Sequence, residues 1–422
     1  MPGGTQLLSK RPEMFLPGGW PPYYSRAKGV NVWDLGGRKF TDMSYAGIGA
    51  CILGFADDDV DRRVHRAINL GSMSTLNCPE EVELAELLIE LHPWSKKARF
   101  CRGGGEAMAV AVRLARAATG REKIAFCGYH GWHDWYLSAN LSDKAALNGH
   151  LLPGLSPVGV PRSLKRTAFP FAYNRMDQLE KHIAHYGREL AAIVMEPVRS
   201  IVPDKHFLLN VKRAAKKMGA VLIFDEVTSG WRLNSGGIHL LYDVHPDIAV
   251  FAKGISNGYP MAAVIGRSEV MSAAQKSFIS STYWTERIGP TAALATVRKH
   301  IDKNVGNHLR KIGSAVMEGW VKAARETGLS IRVSGIAPLA HFVFKSDQHQ
   351  VMKTVFTKLM LKKGFLATTA FYASYAHHIR HVELYSEAVS DSFLFIRRAL
   401  DRGDMKKTLN GPISHAGFFR LS

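Results

Sequence analysis

The sequence of 422 residues has few cysteines and no long apolar run, and each absence excludes a class of protein. Its four cysteines (Cys51, Cys78, Cys101 and Cys127) contain no CxxC pair, which excludes a disulfide framework and a zinc knuckle. No window approaches the roughly 20 apolar residues of a membrane-spanning helix, and the first residues lack the apolar core of a signal peptide. We therefore expect reduced thiols, a cytoplasmic protein and no membrane partner.

The sequence is also short of acidic residues, with 36 Asp and Glu against 55 Lys and Arg, which gives a net charge of +19. A positive charge favours anionic partners, which include nucleic acid, membrane surfaces and phosphorylated small molecules. The basic residues are scattered in short groups such as Lys96–Lys97 and Arg397–Arg398. A nucleic-acid-binding protein more often has a continuous basic stripe with interleaved aromatic residues. We therefore expect no nucleic-acid partner.

Short apolar runs alternate with helical patterns between residues 80 and 270. The runs predict buried strands at residues 98–101, 123–127, 190–196, 220–226 and 247–253. Helical patterns lie between them, for example at Glu81–His92, which Pro93 ends, and at Leu209–Met218, which Gly219 ends. This order predicts an α/β fold with a mainly parallel sheet that is covered on both faces, and such sheets bind ligands at the carboxyl ends of their strands.

The two ends of the chain lack this alternation. Residues 29–43 resemble a β-hairpin, and the sequence after about residue 292 has a different pattern. We expect a smaller α+β domain built from both chain ends. The predicted boundaries are 1–55 for its N-terminal part, 56–292 for the large domain and 293–422 for its C-terminal part.

Three consecutive glycines, Gly103, Gly104 and Gly105, stand between the strand at 98–101 and a helix predicted from Glu106 to Ala118. The backbone N–H groups of such a turn and the positive end of the helix dipole bind phosphate. The run is not a GxGxxG fingerprint, because Met108 takes the place of the third glycine, and no GKS or GKT follows it. Taken alone, it fits a tight turn without a ligand equally well.

Two charged residues end apolar strands at the expected ligand edge, namely Asp225 and Lys253. A buried charge is costly unless it is paired, so one interpretation is a structural ion pair. The other is chemical, since a lysine in this setting is a good Schiff-base nucleophile. Together with a phosphate-binding turn, a carboxylate and a lysine are what pyridoxal 5'-phosphate (PLP) requires. Tyr129 or His130 is placed to stack on its ring.

At this point the sequence resembles the class III aminotransferases of PLP fold type I, and within them the group around glutamate-1-semialdehyde 2,1-aminomutase. The resemblance covers most of the chain and rests on GGGEAMAVAVRLARAATGREKIAFCGYHGWHD, GAVLIFDEVTSGWR and PDIAVFAKGISNGYPMAAVIGR, in this order. It implies an α/β large domain with a mainly parallel seven-stranded sheet and a smaller α+β domain.

The resemblance also implies roles for individual residues. Lys253 would form the internal aldimine and move the substrate proton, and Asp225 would bind the pyridine nitrogen. The other implied cofactor-binding residues are Gly104 and Gly105 at the phosphate, Tyr129 and Val227 on opposite ring faces, His130, Glu196 near the cofactor, and Thr285. Thr285 would reach the phosphate of the neighbouring subunit's cofactor, which implies a homodimer. No metal site is expected, because His130 and His133 lack a third ligand at zinc spacing.

The sequence departs from the family at several positions. GGGEA replaces SGTEA, so Gly105 lacks a hydroxyl whose hydrogen bond to the phosphate is worth roughly 0.5 to 1.5 kcal/mol. Arg26 is not a convincing match for the arginine that holds the substrate carboxylate in the aminomutase pattern. The segment 281–290 brings Tyr283 and Trp284 towards the site, where they would contact a polyhydroxylated substrate or pack at a dimer interface.

The sequence therefore predicts a PLP-dependent aminotransferase that moves an amino group from an amino-acid donor to an aldehyde or ketone acceptor. The favoured acceptor is a sugar or a nucleotide-linked sugar. One alternative is a glutamate-1-semialdehyde 2,1-aminomutase, and another is a non-catalytic protein that only binds PLP or a nucleotide sugar. The cluster His377, His378 and His381 receives no assignment from the sequence.

Overall fold

The computed structural model describes residues 1–150, 153–198, 201–204 and 206–417. Its strands are β1 Tyr24–Lys28, β2 Asn31–Asp34, β3 Lys39–Met43, β4 Lys97–Cys101, β5 Lys123–Cys127, β6 Ala168–Pro170, β7 Leu190–Met195, β8 Val221–Asp225, β9 Ile248–Phe251, β10 Ala262–Gly266, β11 Ile331–Ser334, β12 Leu339–Phe344, β13 Phe365–Ala367 and β14 Ala370–Tyr372. Its α-helices are α1 Asp58–Asn69, α2 Pro79–Leu91, α3 Gly104–Thr119, α4 Asp134–Leu137, α5 Met176–Tyr186, α6 Phe207–Met218, α7 Ser268–Met271, α8 Ile288–Asp302, α9 Val305–Thr327, α10 His349–Lys362, α11 Ile379–Asp401 and α12 Met405–Leu409.

The chain divides into two compact units. The terminal unit consists of residues 1–57 and 305–422, and the central unit consists of residues 58–304. In the part of the chain that the structure describes, no helix is long and apolar enough to cross a membrane.

A seven-stranded sheet forms the centre of the central unit, with the order β4-β10-β9-β8-β7-β5-β6. Strand β10 is antiparallel to both of its neighbours, β9 and β4, whereas the remaining pairs are parallel. The other six strands therefore run in one direction, and their carboxyl ends meet at one edge of the sheet. This confirms the predicted mainly parallel α/β sheet and its seven strands.

Helices cover both faces of this sheet. Helix α3 packs on one face through apolar residues that include Met108, Ala111 and Leu114, whereas α5 and α6 pack on the other face. Successive residues of one strand point to opposite faces, so Phe126 joins the first core and Cys127 joins the second. Burying such a large apolar side chain stabilises the fold by about 1.5–3 kcal/mol.

The ends of three helices follow from the local sequence. Pro79 occupies the first turn of α2, where its missing N–H costs nothing, and α6 ends at Gly219 with φ +63°. Helix α3 begins at Gly104, with Gly103 as its N-cap residue, two residues before the predicted start. Two of the three consecutive glycines therefore belong to the first turn of α3.

The terminal unit contains two small sheets, β1-β2-β3-β13 and β11-β12-β14, packed with α9, α10 and α11. Strands β2 and β3 pair antiparallel, with Val32 opposite Phe40, so the predicted hairpin at residues 29–43 is present. In the core of the terminal unit, the indole N–H of Trp320 donates to the Tyr385 hydroxyl at 3.0 Å, and both side chains are fully buried.

Candidate active site

Most of the predicted site residues lie at the carboxyl edge of the central sheet. Asp225 is the last residue of β8, Glu196 directly follows β7, and Lys253 comes two residues after β9. Tyr129 and His130 follow β5. Parallel strands direct these segments to the same edge, which is why residues far apart in sequence converge there.

Asp225 is buried, with 4% of its surface exposed, and has two described hydrogen-bond partners. Its Oδ2 accepts from Nδ1 of His130 at 2.8 Å, and its Oδ1 accepts from the Val227 N–H at 3.0 Å. The second ring nitrogen of His130 lies 3.1 Å from the Cys127 carbonyl oxygen, so the imidazole is held at both ends. An ionised carboxylate accepts more than two hydrogen bonds, which leaves lone pairs for a protonated ring nitrogen.

Lys253 opens a short 3₁₀ turn that spans Lys253–Ser256, and it has the unusual backbone angle φ +51°. A left-handed conformation is costly for a residue with a side chain and is often found at functional sites. The Nζ of Lys253 donates a hydrogen bond to the Thr228 hydroxyl at 3.1 Å. Thr228 is not among the residues predicted from the sequence, although it stands three residues after Asp225 in the LIFDEVTSGWR segment.

The glycine turn, defined as Gly103–Gly105, connects β4 to α3. Gly104 and Gly105 occupy the first two helical positions, whose N–H groups have no partner within the helix and lie at the positive end of its dipole. A Cβ at Gly104 would lie 2.9 Å from Cγ1 of Val227, so a side chain there would require Val227 to shift. The turn therefore offers backbone donors to an anion at the same edge as Asp225 and Lys253.

Glu196 holds the loop that carries Tyr129. Its Oε2 accepts a hydrogen bond from the Tyr129 N–H at 3.0 Å. Gly128 has φ +113°, and a Cβ there would lie 2.6 Å from the same Glu196 oxygen, so this close approach requires glycine. The Tyr129 ring stands edge-on to Tyr136, with ring centroids 5.8 Å apart. These contacts orient Tyr129 through the backbone and through its ring.

The two cysteines at the ends of β4 and β5 are not suited to nucleophilic catalysis. Burial, together with the charge of Glu106, raises the pKa of Cys101 to about 12. Burial also raises the pKa of Cys127, with a smaller contribution from Glu196. Both thiols therefore stay protonated at neutral pH, and a thiolate is the form that reacts.

Thr285 does not join the other predicted residues within this chain. It is exposed at the end of the 3₁₀ turn Thr282–Thr285, just before α8, and its hydroxyl donates to the Thr282 carbonyl at 3.0 Å.

Arg102, which is not among the residues predicted from the sequence, directly precedes the glycine turn and contacts the Thr285 segment. No local pattern predicts this contact, because the two carbonyl groups of that segment lie more than 180 residues away in sequence.

The residues at this edge fit PLP. A buried carboxylate with spare acceptor capacity suits a protonated pyridine nitrogen, a primary amine suits its aldehyde, and the N–H groups of the glycine turn suit its phosphate. The same residues do not suit a metal, since both ring nitrogens of His130 already have oxygen partners. Among the residues that the structure describes, no cluster of three His, Cys, Asp or Glu side chains could hold a metal ion.

Comparison with known sequences places the chain among aminotransferases. The model of the family described as aminotransferase class III matches residues 19–375. The 3-aminobutyryl-CoA aminotransferase of Cloacimonas acidaminovorans is 30% identical, and the match covers 95% of each chain. The glutamate-1-semialdehyde 2,1-aminomutase of Aquifex aeolicus is 30% identical over 95% of this chain and 96% of that protein. The 2'-deamino-2'-hydroxyneamine transaminase of Streptomyces kanamyceticus is 29% identical over 87% of this chain and 89% of that protein.

Solved structures share the fold. An omega-transaminase from Sphaerobacter thermophilus superposes with a TM-score of 0.82 at 27% identity, over 91% of this chain and 93% of that chain. The PLP internal aldimine form of the Sphingopyxis sp. MTA144 FumI protein superposes with a TM-score of 0.83 at 23% identity, over 93% of this chain and 92% of that chain.

Proposed function

Because the chain belongs to the class III aminotransferases, which use PLP, we propose that it moves an amino group from an amino-acid donor to an aldehyde or ketone acceptor at the carboxyl edge of the central sheet. The observation that carries this proposal is the placement of a buried carboxylate, a lysine and a glycine-opened helix end at that edge. PLP, when bound, supplies a conjugated ring that accepts the electrons of a broken substrate bond and carries the amino group between two half-reactions.

Each residue of the site has a separate task in this proposal. Asp225 binds the protonated ring nitrogen, and His130 orients its carboxylate through the 2.8 Å hydrogen bond. Lys253 would hold the cofactor through its aldehyde, and its Nζ, once the substrate amine has displaced it, would carry the proton that leaves the substrate α carbon. The Thr228 hydroxyl, 3.1 Å from Nζ, steers the amine during this transfer.

The remaining residues hold and enclose the cofactor. The N–H groups of Gly104 and Gly105 bind the phosphate, and Val227 and Tyr129 enclose the ring. Glu196 contributes by fixing the Tyr129 backbone at 3.0 Å.

We propose a sugar or a nucleotide-linked sugar as the acceptor. Two features support this choice: the sequence lacks a convincing counterpart of the carboxylate-binding arginine, and an aromatic pair, Tyr283 and Trp284, lies in the segment before α8. A relative from S. kanamyceticus, named as a 2'-deamino-2'-hydroxyneamine transaminase, points in the same direction. The aminomutase alternative is supported by the A. aeolicus relative, which is 30% identical over nearly the whole chain.

We also propose that the enzyme is a cytoplasmic homodimer in which Thr285 serves the neighbouring subunit's cofactor. An open groove of about 930 Å³ lies beside the Thr285 segment and is lined by Trp132, Phe278 and Trp284 among others. Phe278 is 87% exposed and Trp132 70% exposed, and such apolar patches mark interaction surfaces. The four cysteines, all within the described residues, lie outside any disulfide, which supports a reducing compartment. Sedimentation of the purified protein at twice the chain mass would support the dimer, and a monomer would refute it.

The cofactor assignment is tested with the Lys253→Ala variant. The wild-type protein with PLP should absorb at about 420 nm. Borohydride should reduce the imine and link the cofactor covalently to the peptide that contains Lys253. Lys253→Ala should lose this attachment and all measurable turnover while keeping its fold. A matched control, Lys276→Ala, removes an exposed lysine of the same unit and should behave like the wild type. Turnover that survives in Lys253→Ala would remove this lysine from its role.

The acceptor is tested with a panel of keto-sugars and amino donors, followed through formation of the amine product. Turnover with a keto-sugar supports the proposed acceptor. Conversion of glutamate semialdehyde into 5-aminolevulinate would instead identify an aminomutase. No amino-group transfer with any donor would favour a non-catalytic binding protein.

A further inference from the structure

Arg102 connects the glycine turn to the segment that carries Thr285. It stands between the end of β4 and Gly103, and its Nη2 donates to the carbonyl oxygens of Trp284 and Glu286, both at 2.9 Å. Its Nη1 donates to the Cys101 carbonyl at 3.2 Å. One guanidinium group thus holds the backbone on both sides of Thr285 against the strand that leads into the glycine turn.

Glu286 completes this connection from the other side. Its Oε1 lies 2.9 Å from Nε of Arg102, and its two carboxylate oxygens accept hydrogen bonds from the N–H groups of Ile288 at 2.6 Å and Gly289 at 2.8 Å. The same carboxylate therefore caps the first turn of α8 and pairs with Arg102. Because α8 begins directly after the Thr285 segment, the Arg102–Glu286 pair fixes the point at which this segment enters the helix.

The pair is largely shielded from water, with 14% of the Arg102 side chain and 19% of the Glu286 side chain exposed. A planar guanidinium is suited to this position, because it donates to several acceptors at fixed angles, whereas a lysine ammonium does not reproduce that geometry. Removal of one partner leaves the other charge desolvated and unpaired. The backbone of Arg102 is also connected to α3, since its backbone N–H donates to Oε2 of Glu106 at 2.9 Å.

We propose that Arg102 is a positioning residue that couples the two phosphate-binding elements of the enzyme, namely the glycine turn for the subunit's own cofactor and Thr285 for its neighbour's cofactor. This inference rests on the proposed function, in which Thr285 crosses the dimer interface. Its consequence is that Arg102 controls PLP affinity in both subunits without touching PLP.

The test measures PLP binding to the apo-protein by fluorescence titration. Arg102→Gln should raise the Kd for PLP about tenfold, in the range of one lost charge-assisted hydrogen bond. Arg102→Lys should restore only part of the affinity, because the ammonium does not reach all the acceptors. The matched control is Arg99→Gln, which removes an arginine of β4 whose Nη2 donates to the Ile279 carbonyl at 2.6 Å, before the Thr285 segment. It should change the Kd less than about twofold.

The Thr285→Ala variant separates positioning from a general loss of structure. If Arg102 acts through Thr285, the double variant Arg102→Gln/Thr285→Ala should bind PLP no more weakly than the weaker single variant. Effects that multiply in the double variant would overturn the coupling. The unfolding temperatures of the apo-proteins are measured in parallel, and Arg102→Gln should lose more stability than Arg99→Gln because it also leaves Glu286 unpaired. The comparison of the single and double variants therefore separates the effect on the Kd from the effect on stability.

The two possible failures are distinguishable. If the wild-type apo-protein does not bind PLP, the proposed cofactor site is wrong, and the coupling is wrong with it. If the wild type binds PLP and Arg102→Gln binds it equally well, only the role of Arg102 is refuted. Should Arg102→Gln fail to fold, Glu286→Gln is the substitute, because its single amide oxygen still accepts from one of the two α8 N–H groups while the ion pair with Arg102 is lost.

Discussion

At the scale of single residues, Gly105 is the position where one added hydroxyl should strengthen cofactor binding. A Cβ there would lie 3.3 Å from Cδ2 of His133 and 3.7 Å from the Gly131 Cα, so a side chain fits only if the His133 ring moves slightly. That ring lines the open groove beside α3, where space for a small shift is available. We expect Gly105→Ser to lower the Kd for PLP about two- to twelvefold, because one hydrogen bond contributes about 0.5–1.5 kcal/mol.

Fluorescence titration of the apo-protein measures this effect, and Gly105→Ala is its control, because it adds the same Cβ without the hydroxyl. The serine variant should bind PLP more tightly than both the alanine variant and the wild type. Equal affinities of the serine and alanine variants would mean that no phosphate oxygen lies within reach of residue 105.

The residues of the site differ in how far the sequence predicts them. Asp225 and Lys253 are conspicuous because each is a charge at the end of an apolar run, where burial needs a reason. Thr228 and Arg102 are not conspicuous, since their contacts arise only when loops fold against each other. A threonine in a polar loop and an arginine after a strand are ordinary in sequence, and only distances reveal their partners.

At the scale of elements, the strands of the central sheet show the same contrast. Strands β7, β8 and β9 are predicted because strands buried on both faces consist of continuous apolar residues. Strand β6 has only three residues, and β10 is rich in alanine and glycine, which are not typical of strands. Their positions are fixed by pairing with β5 and with β9 and β4, so tertiary structure, rather than local preference, forms these two strands.

The N-terminus of α11 provides a pH-dependent prediction. Nδ1 of His381 accepts a hydrogen bond from the His378 N–H at 3.0 Å, which only an unprotonated nitrogen does. Burial, then the charges of His378 and Arg380, lower the pKa of His381. His308 of α9 and the buried His377 are the other titratable rings that lie near this pair. Since the folded-state pKa lies below the unfolded value, this cap stabilises the fold above about pH 6.5 and is lost as the pH falls.

His381→Glu should keep the cap without this titration, because a glutamate at this helix position accepts the same N–H and is ionised at neutral pH. We expect an unchanged or higher stability at pH 7 and a gain of about 0.5–1 kcal/mol over the wild type at pH 5.5. Urea unfolding at the two pH values measures the difference. His381→Ala is the control and should lose the cap at both values; a glutamate variant that behaves like it would refute the capping role.

At the scale of the whole molecule, buried neutral histidines should set the lower pH limit of stability. Burial is the main cause that lowers the pKa of His92, His300 and His377 to about 4. Each neutral ring has defined partners. In His92, for example, Nδ1 lies 2.8 Å from the Leu88 carbonyl oxygen, and Nε2 accepts a hydrogen bond from the Gly237 N–H at 3.0 Å. Protonation would break the accepting bond and place a charge in the core.

The direction of the effect follows from the proton balance. Unfolded histidines bind protons below about pH 6.5, whereas these three bind them in the folded state only near pH 4, so unfolding takes up protons between the two values. The free energy of unfolding should therefore be constant above pH 7 and fall steadily as the pH drops from 6.5 to 5, by several kcal/mol in total, roughly. Most carboxylates stay ionised in this window, so histidines dominate the slope.

Urea unfolding between pH 8 and 5 measures this slope, and two variants assign it. His377→Gln removes a buried ring and should reduce the slope by about one proton even though the protein becomes less stable. His65→Gln removes an exposed ring of α1 and should leave the slope unchanged. A free energy of unfolding that stays constant from pH 7 to 5 would show that the buried rings take up protons in the folded state at the same pH as in the unfolded chain. In that case the partners described for His92, His300 and His377 would have to rearrange to accommodate three more charges in a protein whose net charge is already +19.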